Sequence, residues 1–201
     1  MTQPFIYLAS QSPRRRQLLE QLGVVYELLL PDAGEDTESI EEVLPGEAPA
    51  RYVRRVARLK LDAARERRKC RKLPAAPILC SDTTVALGRM IFGKPADEAD
   101  ARRMLRELAG HTHRVLTAVC IDNGSKQLEA LSDSRVTFAA MTPAQIKAYV
   151  ATGEPLGKAG AYAVQGRAAA FISDIRGSYS GIMGLPMHET AQLLRECGFR
   201  T

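Results

Sequence analysis

The chain has 201 residues, of which 45% are hydrophobic and 25% charged, so it can form one domain (1–201) with a sizeable core. No apolar run approaches the roughly 20 residues that cross a bilayer, and the opening MTQPFIYLAS lacks the basic leader of a signal peptide. Four scattered cysteines without a C-x-x-C pair indicate reduced thiols rather than disulfides or a zinc site. We therefore expect a soluble, cytoplasmic protein.

The net charge of +5 is unevenly distributed along the chain. Residues 51–72 carry eleven Lys or Arg against two acids, whereas residues 32–47 carry seven acids and no base. The two stretches could neutralise each other, form a solvated face, or bring a metal and a polyanion together. Charge alone favours the solvated face and leaves nucleic-acid binding open.

Hydrophobic periodicity alternates between strand and helix along the chain. In chain order we predict a strand at 4–9, a helix at 13–22, a strand at 24–30, a helix from about 49, a strand at 76–82, a hairpin turning at Gly88-Arg89, a helix at 97–108, two strands joined at Asn123-Gly124, a helix at 142–151, a strand at 168–175, a loop at 177–184 and a last helix from Pro186 to Gly198. Because two hairpins interrupt the βαβ rhythm, this order predicts an α/β fold with a mixed twisted sheet flanked by helices.

The first helix begins with an unusual charge pattern. Ser12-Pro13 is a strong start signal, and Arg14, Arg15 and Arg16 then fill the first turn. Cations at this end of a helix oppose its dipole by up to about 1 kcal/mol each. An anion bound at the turn would make the electrostatic energy of these arginines favourable. The pattern therefore indicates a phosphate-binding site.

Three isolated polar residues could carry chemistry. Asp82 follows a buried apolar run, and a carboxylate at a strand end lies where α/β folds bind ligands. Asp82 could equally satisfy turn N–H groups. Lys94 could be a solvated loop charge, and Lys60 could extend along its helix to reach water.

The stretch GKAGAYAVQG at 157–166 combines small residues with Gln165. Glycines allow a backbone to approach a ligand closely, and an amide can read a base edge, although a plain loop explains the composition equally well. No P-loop motif occurs. His111 and His113 are spaced to share one strand face, and without a third nearby ligand we interpret them as a polar face rather than a metal site.

Together these residues suit metal-assisted attack of water on a polyphosphate. Such a reaction needs cations around the phosphates, a divalent metal, and a carboxylate that orients and deprotonates water.

Five ordered motifs resemble those of the Maf-like nucleoside triphosphate pyrophosphatases: LASQSPRR near the start, SDTTV at 81–85, GKP at 93–95, KAGAYAVQG at 158–166 and GSYSGIMGLP at 177–186. The resemblance covers nearly the whole chain. It implies hydrolysis between the α and β phosphates of a nucleoside triphosphate, with Mg²⁺ or Mn²⁺ as cofactor. It also implies two lobes around a deep cleft, and a homodimer.

The resemblance also implies roles for single residues. Asp82 would be the general base, and Glu35 would assist it in holding the metal. The substrate-binding residues would be Ser10, Arg14, Arg15, Lys60, Thr83, Lys94 and Gln165. Cys80 and Ser81 depart from the small Gly or Ala that are frequent in the family.

The residues Arg14, Thr83 and Gln165 occupy the three positions at which the family's subgroups differ, and they resemble the subgroup that acts on dTTP and UTP. One alternative is a pyrophosphatase for modified or purine triphosphates such as 7-methyl-GTP. A second is a binding module for nucleic acid or a division protein that uses the basic helix at 51–72. We do not expect nucleic acid as a partner, since such a module would explain neither Asp82 nor the Gly/Gln stretch.

Overall fold

The computed structural model describes residues 4–32, 34–35 and 39–201, and these form a mixed α/β fold. The strands are β1 (Ile6–Leu8), β2 (Tyr26–Leu28), β3 (Ile78–Leu87), β4 (Met90–Phe92), β5 (Thr112–Asp122), β6 (Gln127–Phe138) and β7 (Ile172–Arg176). The α-helices are α1 (Pro13–Gln21), α2 (Pro49–Cys70), α3 (Glu98–Leu108), α4 (Pro143–Val150), α5 (Tyr179–Met183) and α6 (Met187–Glu196). Three 3-10 helices span Ser39–Glu41, Ala159–Ala161 and Arg167–Phe171.

The strands form one mixed sheet in the order β2-β1-β3-β5-β6-β7, with β4 paired to β3. Strands β2, β1 and β3 are parallel, and the remaining pairs are antiparallel. The predicted mixed sheet flanked by helices is therefore confirmed.

Strand β3 changes partner along one of its edges. There β1 pairs with Ile78 and Leu79, and β4 pairs with residues 85–87, whereas β5 covers the other edge from Ile78 to Ala86. Residues 80–84 consequently face a notch between β1 and β4. The prediction that Asp82 ends a strand was wrong, because β3 continues through Asp82 into the hairpin.

The two faces of the sheet are packed differently. Helix α2 covers one face through a core that includes Val53, Val56 and Leu61. On the other face, α1 and α6 cover one apolar cluster, and α3 and α4 cover a second. Between these clusters lies a polar strip formed by Ser81, Thr83 and Thr117, and the loop that contains α5 packs on it.

Several boundaries differ from the sequence prediction. Residues 168–171 belong to a 3-10 helix, so β7 starts only at Ile172. The predicted loop at 177–184 contains the short helix α5, whose N-cap Ser178 accepts a hydrogen bond from the Gly181 N–H. Ser12 is the N-cap of α1 as predicted, although its side chain makes no capping hydrogen bond.

The structure also shows the state of the cysteines and the hydropathy of the helices. All four cysteines are free thiols, including Cys80 and Cys120, which are directly opposite each other on β3 and β5. Among the described residues, no helix combines the length and hydropathy needed to cross a membrane.

Candidate active site

A cavity of about 490 Å³ opens at the notch in the sheet. This volume is within the usual range for small-molecule sites. Eight of the nine residues predicted for the site line it: Ser10, Arg14, Arg15, Lys60, Asp82, Thr83, Lys94 and Gln165. Glu35, the ninth, is not among the lining residues.

A chain of charged contacts crosses the cavity. Lys60 Nζ, which α2 supplies, lies 2.6 Å from Asp82 Oδ1 and 2.7 Å from Glu41 Oε1. Lys94 Nζ lies 2.9 Å from Glu41 Oε2. Asp82 Oδ2 accepts no hydrogen bond from the described residues, so this oxygen is available to a water molecule.

The 3-10 helix Ser39–Glu41 brings the second carboxylate into the cavity. Tyr52 on α2 donates its hydroxyl to the Glu41 carbonyl oxygen at 2.9 Å, which ties this segment to the helix that carries Lys60. Burial alone would raise the pKa of Glu41, but Lys60 and Lys94 outweigh it and lower the pKa. Burial likewise opposes the charge of Lys60, and Asp82 and Glu41 outweigh it and raise the Lys60 pKa.

Arg15 is held by three separate segments. Its Nε donates to the Gly184 carbonyl oxygen at 2.8 Å, and its Nη1 donates to Ser10 Oγ at 3.0 Å. Its Nη2 lies 3.5 Å from Thr83 Oγ1. Burial lowers the pKa of this guanidinium, and the nearby Asp82 charge opposes the shift. The first turn of α1, the centre of β3 and the end of α5 are thus joined at one cation.

Arg14 lies at the other end of the cavity, against Gln165. Because a guanidinium can only donate, the Gln165 amide is assigned with its oxygen towards Arg14, where it accepts from Nε and, at 3.2 Å, from Nη2. Lys158 and Val164 line the same region. A guanidinium, an ammonium and an amide therefore lie close to apolar side chains, as recognition of a flat heterocycle attached to phosphates requires.

Glu35 is placed elsewhere by the structure. Its carboxylate accepts from Arg67 Nε at 2.8 Å and Nη2 at 2.5 Å. Arg67 is 7% exposed and also donates to the Leu29 carbonyl oxygen. The hydrogen bonds from Arg67 lower the pKa of Glu35 to about 2. The structure therefore does not bring Glu35 to Asp82; it brings Glu41 there instead.

Sequence reasoning missed Glu41 because it is one of seven acids in a stretch without a sharp motif. Spacing on α2 gives a partial signal. Lys60 and Arg67 are seven residues apart and share a helical face, so both can face the preceding acidic loop. Which acid faces which cation depends on tertiary structure.

Two carboxylates of the cavity bear on the binding of a divalent metal. Asp82 and Glu41 direct carboxylate oxygens at one point, which Lys60 Nζ contacts. Mg²⁺ is usually bound by one or two carboxylates together with substrate phosphates. The pair supplies the two carboxylates that such an ion would use, with Lys60 Nζ between them in this structure, and no group of three or more His, Cys, Asp or Glu with metal-binding geometry occurs in the described part of the chain.

Comparison with known proteins gives a consistent result. The family model "Maf-like protein" matches residues 5–197. The chain is 71% identical over 196 residues to a protein from Albidiferax ferrireducens named "dTTP/UTP pyrophosphatase", covering 98% of each sequence. Proteins with the same name from a Polaromonas species and Cupriavidus metallidurans are 69% and 64% identical, over 98% and 96% of this chain and 97% and 96% of their own lengths. The chain therefore belongs to the family of Maf-like proteins.

Proposed function

We propose that the chain is a nucleoside triphosphate pyrophosphatase that hydrolyses dTTP and UTP to the monophosphate and pyrophosphate. The observation that carries this proposal is the cluster of Asp82, Lys60 and Glu41 in a cavity that also contains Arg14, Arg15 and Lys94. The names of the relatives at 64–71% identity support the substrate class.

Asp82 is the proposed general base. Its Oδ1 is held by Lys60, which leaves Oδ2 to accept a proton from a water molecule that attacks the α-phosphorus. The attack breaks the bond from the α-phosphorus to the bridging oxygen, and pyrophosphate leaves. Lys60, Lys94 and Arg15 are placed to stabilise the charge that develops on the phosphate oxygens.

The metal proposed here is Mg²⁺ or Mn²⁺, with Asp82 and Glu41 as the protein ligands. When bound, such an ion supplies Lewis-acid polarisation of the phosphate oxygens. Glu41 replaces the predicted Glu35 in this proposal, because Glu41 lines the cavity with Asp82, whereas Glu35 does not line it and is bound by Arg67.

The backbone of β3 offers further donors in the notch. Ala9 N–H donates to the Leu79 carbonyl oxygen, so odd-numbered residues of β3 direct their backbone groups to this edge. By the same alternation, the N–H groups of Ser81 and Thr83 face the notch. They are suitably placed to bind a phosphate oxygen beside the Asp82 side chain.

The arginines at the start of α1 then have an electrostatic explanation. A triphosphate in the cavity lies near Arg15 and the positive end of the helix dipole, and Arg14 lies towards the base that the triphosphate carries. We also propose that the enzyme acts in the cytoplasm and as a homodimer, a state that light scattering would test.

The experiment that tests this function is pyrophosphate release from dTTP, UTP, CTP, GTP, ITP and 7-methyl-GTP, with Mg²⁺, with Mn²⁺ and with a chelator. We expect metal-dependent release that favours dTTP and UTP. Asp82→Asn should lower kcat by roughly 10²- to 10⁴-fold while the thermal unfolding midpoint stays near that of the wild type. Release that favours a purine or 7-methyl-GTP would support the alternative substrate class, and full activity in Asp82→Asn would refute the assignment of the base.

A further inference from the structure

Glu154 lies outside the lining of the cavity, in the segment that follows α4. Its carboxylate accepts from the Arg167 N–H at 2.9 Å and the Ala168 N–H at 3.4 Å. It also accepts from the Tyr149 hydroxyl at 2.8 Å. Three donors from two segments thus converge on one carboxylate directly behind Gln165.

The contact between this carboxylate and the turn after Gln165 is close. A Cβ built on Gly166 would overlap both the Glu154 oxygens and its Cδ, so the turn tolerates only glycine at that position while Glu154 remains in place. The backbone from Gly166 to Ala168 therefore lies against a fixed, hydrogen-bonded anion. Movement of that anion would release the turn that follows Gln165.

The charge of Glu154 also acts on Arg14. Burial lowers the pKa of the Arg14 guanidinium, and the Glu154 carboxylate is the largest influence opposing that shift. Arg14 in turn holds the amide oxygen of Gln165. The same carboxylate thus acts on both partners of the Arg14–Gln165 pair. It binds the backbone that follows Gln165, and its charge favours the charged form of Arg14.

The Arg14–Gln165 pair determines which hydrogen-bonding group Gln165 offers to a base. Because the oxygen is engaged by Arg14, the NH₂ group is the part of the amide left for a ligand. An NH₂ donor favours a carbonyl oxygen. Thymine and uracil carry carbonyls at both C2 and C4, whereas cytosine presents an amino group at C4 that would oppose the amide NH₂.

We propose that Glu154 is a positioning residue for base selectivity, which fixes the turn after Gln165 and aligns Arg14 so that the Gln165 NH₂ group meets a carbonyl of the pyrimidine. This inference rests on the proposed function. Glu154 contacts neither Asp82 nor Lys60, so its removal should alter discrimination between bases and leave the phosphate end of the site intact.

The test uses Glu154→Gln, which keeps the size of the side chain and removes its charge. We expect KM for dTTP and UTP to rise roughly 10- to 100-fold, the factor that loss of hydrogen bonds to a charged group supplies. We expect kcat to change less than about threefold, and the preference for dTTP over CTP to fall. The Kd for tripolyphosphate, which lacks a base, should stay within about twofold of the wild-type value by calorimetry.

A matched control removes a different half-buried carboxylate. Glu129→Gln on β6 loses partners Arg54 and Arg58 outside the cavity, and it should leave both KM and the dTTP/CTP ratio unchanged. Tyr149→Phe removes one of the three donors to Glu154 and should shift the ratio in the same direction by a smaller factor.

Two results would overturn the inference. One is an unchanged dTTP/CTP ratio in Glu154→Gln. The other is a parallel loss of tripolyphosphate and nucleotide affinity with a lowered unfolding midpoint, which would make Glu154 merely structural. The Kd values of dTTP and CTP are measured as well, without turnover. An inactive wild type would therefore overturn the proposed function, while these affinities still decide the role of Glu154.

Discussion

His113 on β5 is enclosed by aromatic side chains. Its ring centroid lies 5.1 Å from that of Phe138 and 5.4 Å from that of Tyr162, both edge to face. Nε2 and the Tyr162 hydroxyl are hydrogen-bonded at 2.8 Å, and Nδ1 has no partner among the described residues. The predicted polar face shared with His111 was therefore wrong. His113 is buried at 1% exposure, and its ring belongs to the core beneath the KAGAY segment.

Because His113 is buried, we predict that the free energy of unfolding depends on pH. Burial lowers the pKa of His113 from 6.5 to about 4. Because the unfolded chain binds this proton more readily, the contribution is fully present above pH 6.5 and is lost as the pH falls towards 4. The free energy of unfolding should fall by about 1 kcal/mol from this residue between pH 6 and pH 5. Urea unfolding across this range, followed by circular dichroism, measures it.

His113→Phe provides the comparison. This variant should be less stable at pH 7, because the Tyr162 hydroxyl loses its partner. Its stability should nevertheless depend less on pH between 6.5 and 4.5. An equal slope in wild type and variant would contradict the assignment.

At the level of elements, the acidic stretch and α2 run antiparallel and pair in register. Moving forward along the loop and backward along the helix, the pairs are Asp32 with Arg71, Glu35 with Arg67, Glu41 with Lys60, and Glu47 with Arg55. Mutual neutralisation therefore accounts for the charge blocks among the described residues. Of the Glu41–Lys60 pair both members line the cavity, whereas of the Glu35–Arg67 pair only Arg67 does, so the Glu41–Lys60 pair is the one that belongs wholly to the candidate site.

Two glutamates of this register should therefore respond differently to the same substitution. Glu41→Gln should lower kcat/KM by roughly 100-fold or more, because it removes a carboxylate from the cavity. Glu35→Gln should leave kcat/KM within about threefold and lower the free energy of unfolding by about 1–2 kcal/mol at pH 7, because Arg67 loses a charged partner. Steady-state kinetics and urea unfolding of the two variants measure these effects. A large kinetic loss in Glu35→Gln with stability intact would restore Glu35 as the metal ligand.

The loop that contains α5 can pack closely on the sheet only because its contact residues are small. A Cβ on Gly181 would lie 2.7 Å from Ser132 Oγ and 3.2 Å from its Cβ. The Gly181 carbonyl oxygen accepts from Thr117 Oγ1 at 2.7 Å, and Gly184 three residues later holds Arg15. The loop must therefore approach β5 and β6 closely for Arg15 to be fixed.

Gly181→Ala should displace this loop and lower kcat/KM about tenfold through the loss of Arg15 alignment. Adding Ser132→Gly removes two of the three atoms that the new methyl group meets and leaves Ser178 Cβ at 3.1 Å, so it should restore part of the loss. Kinetics of the single and double variants measure the effect. An unaffected Gly181→Ala enzyme, or a double variant worse than the product of its single effects, would show that the loop does not position Arg15.

On the scale of the whole molecule, sequence patterns predicted which helices and strands exist better than where they end and how they contact one another. The alternation of strand and helix gave the mixed sheet, because hydrophobic period is a local property. The continuity of β3 through Asp82 was missed, since Ser81 and Asp82 interrupt the apolar run although a neighbouring strand pairs with both. Motif residues such as Arg15 and Lys60 could be placed near one another through the family resemblance. The choice of Glu41 over Glu35 depends on the register of a loop against α2, for which the sequence has no periodic signal.

The ion pairs of the basic helix bear on whether the chain binds nucleic acid. Although residues 51–72 carry a local excess of positive charge, Arg54 and Arg58 both contact Glu129, and Arg65 contacts Asp122. Phosphate binding would have to break these pairs. We therefore expect only weak, non-specific affinity for a 20-base-pair duplex at physiological salt, with a Kd above roughly 10⁻⁶ M by fluorescence anisotropy.

Neutralising Arg54, Arg55 and Arg58 together as Gln should change that weak affinity little and leave the preference for dTTP and UTP intact. Arg55 needs its own control, because its contact with Glu47 anchors the acidic loop; the double variant of Arg54 and Arg58 supplies it. Submicromolar binding with a steep salt dependence, lost in both variants, would instead assign the helix a nucleic-acid partner. Glu129 and Asp122 lie on strands of the sheet beneath the helix. Their carboxylates therefore neutralise part of the helix's positive charge within the folded chain itself.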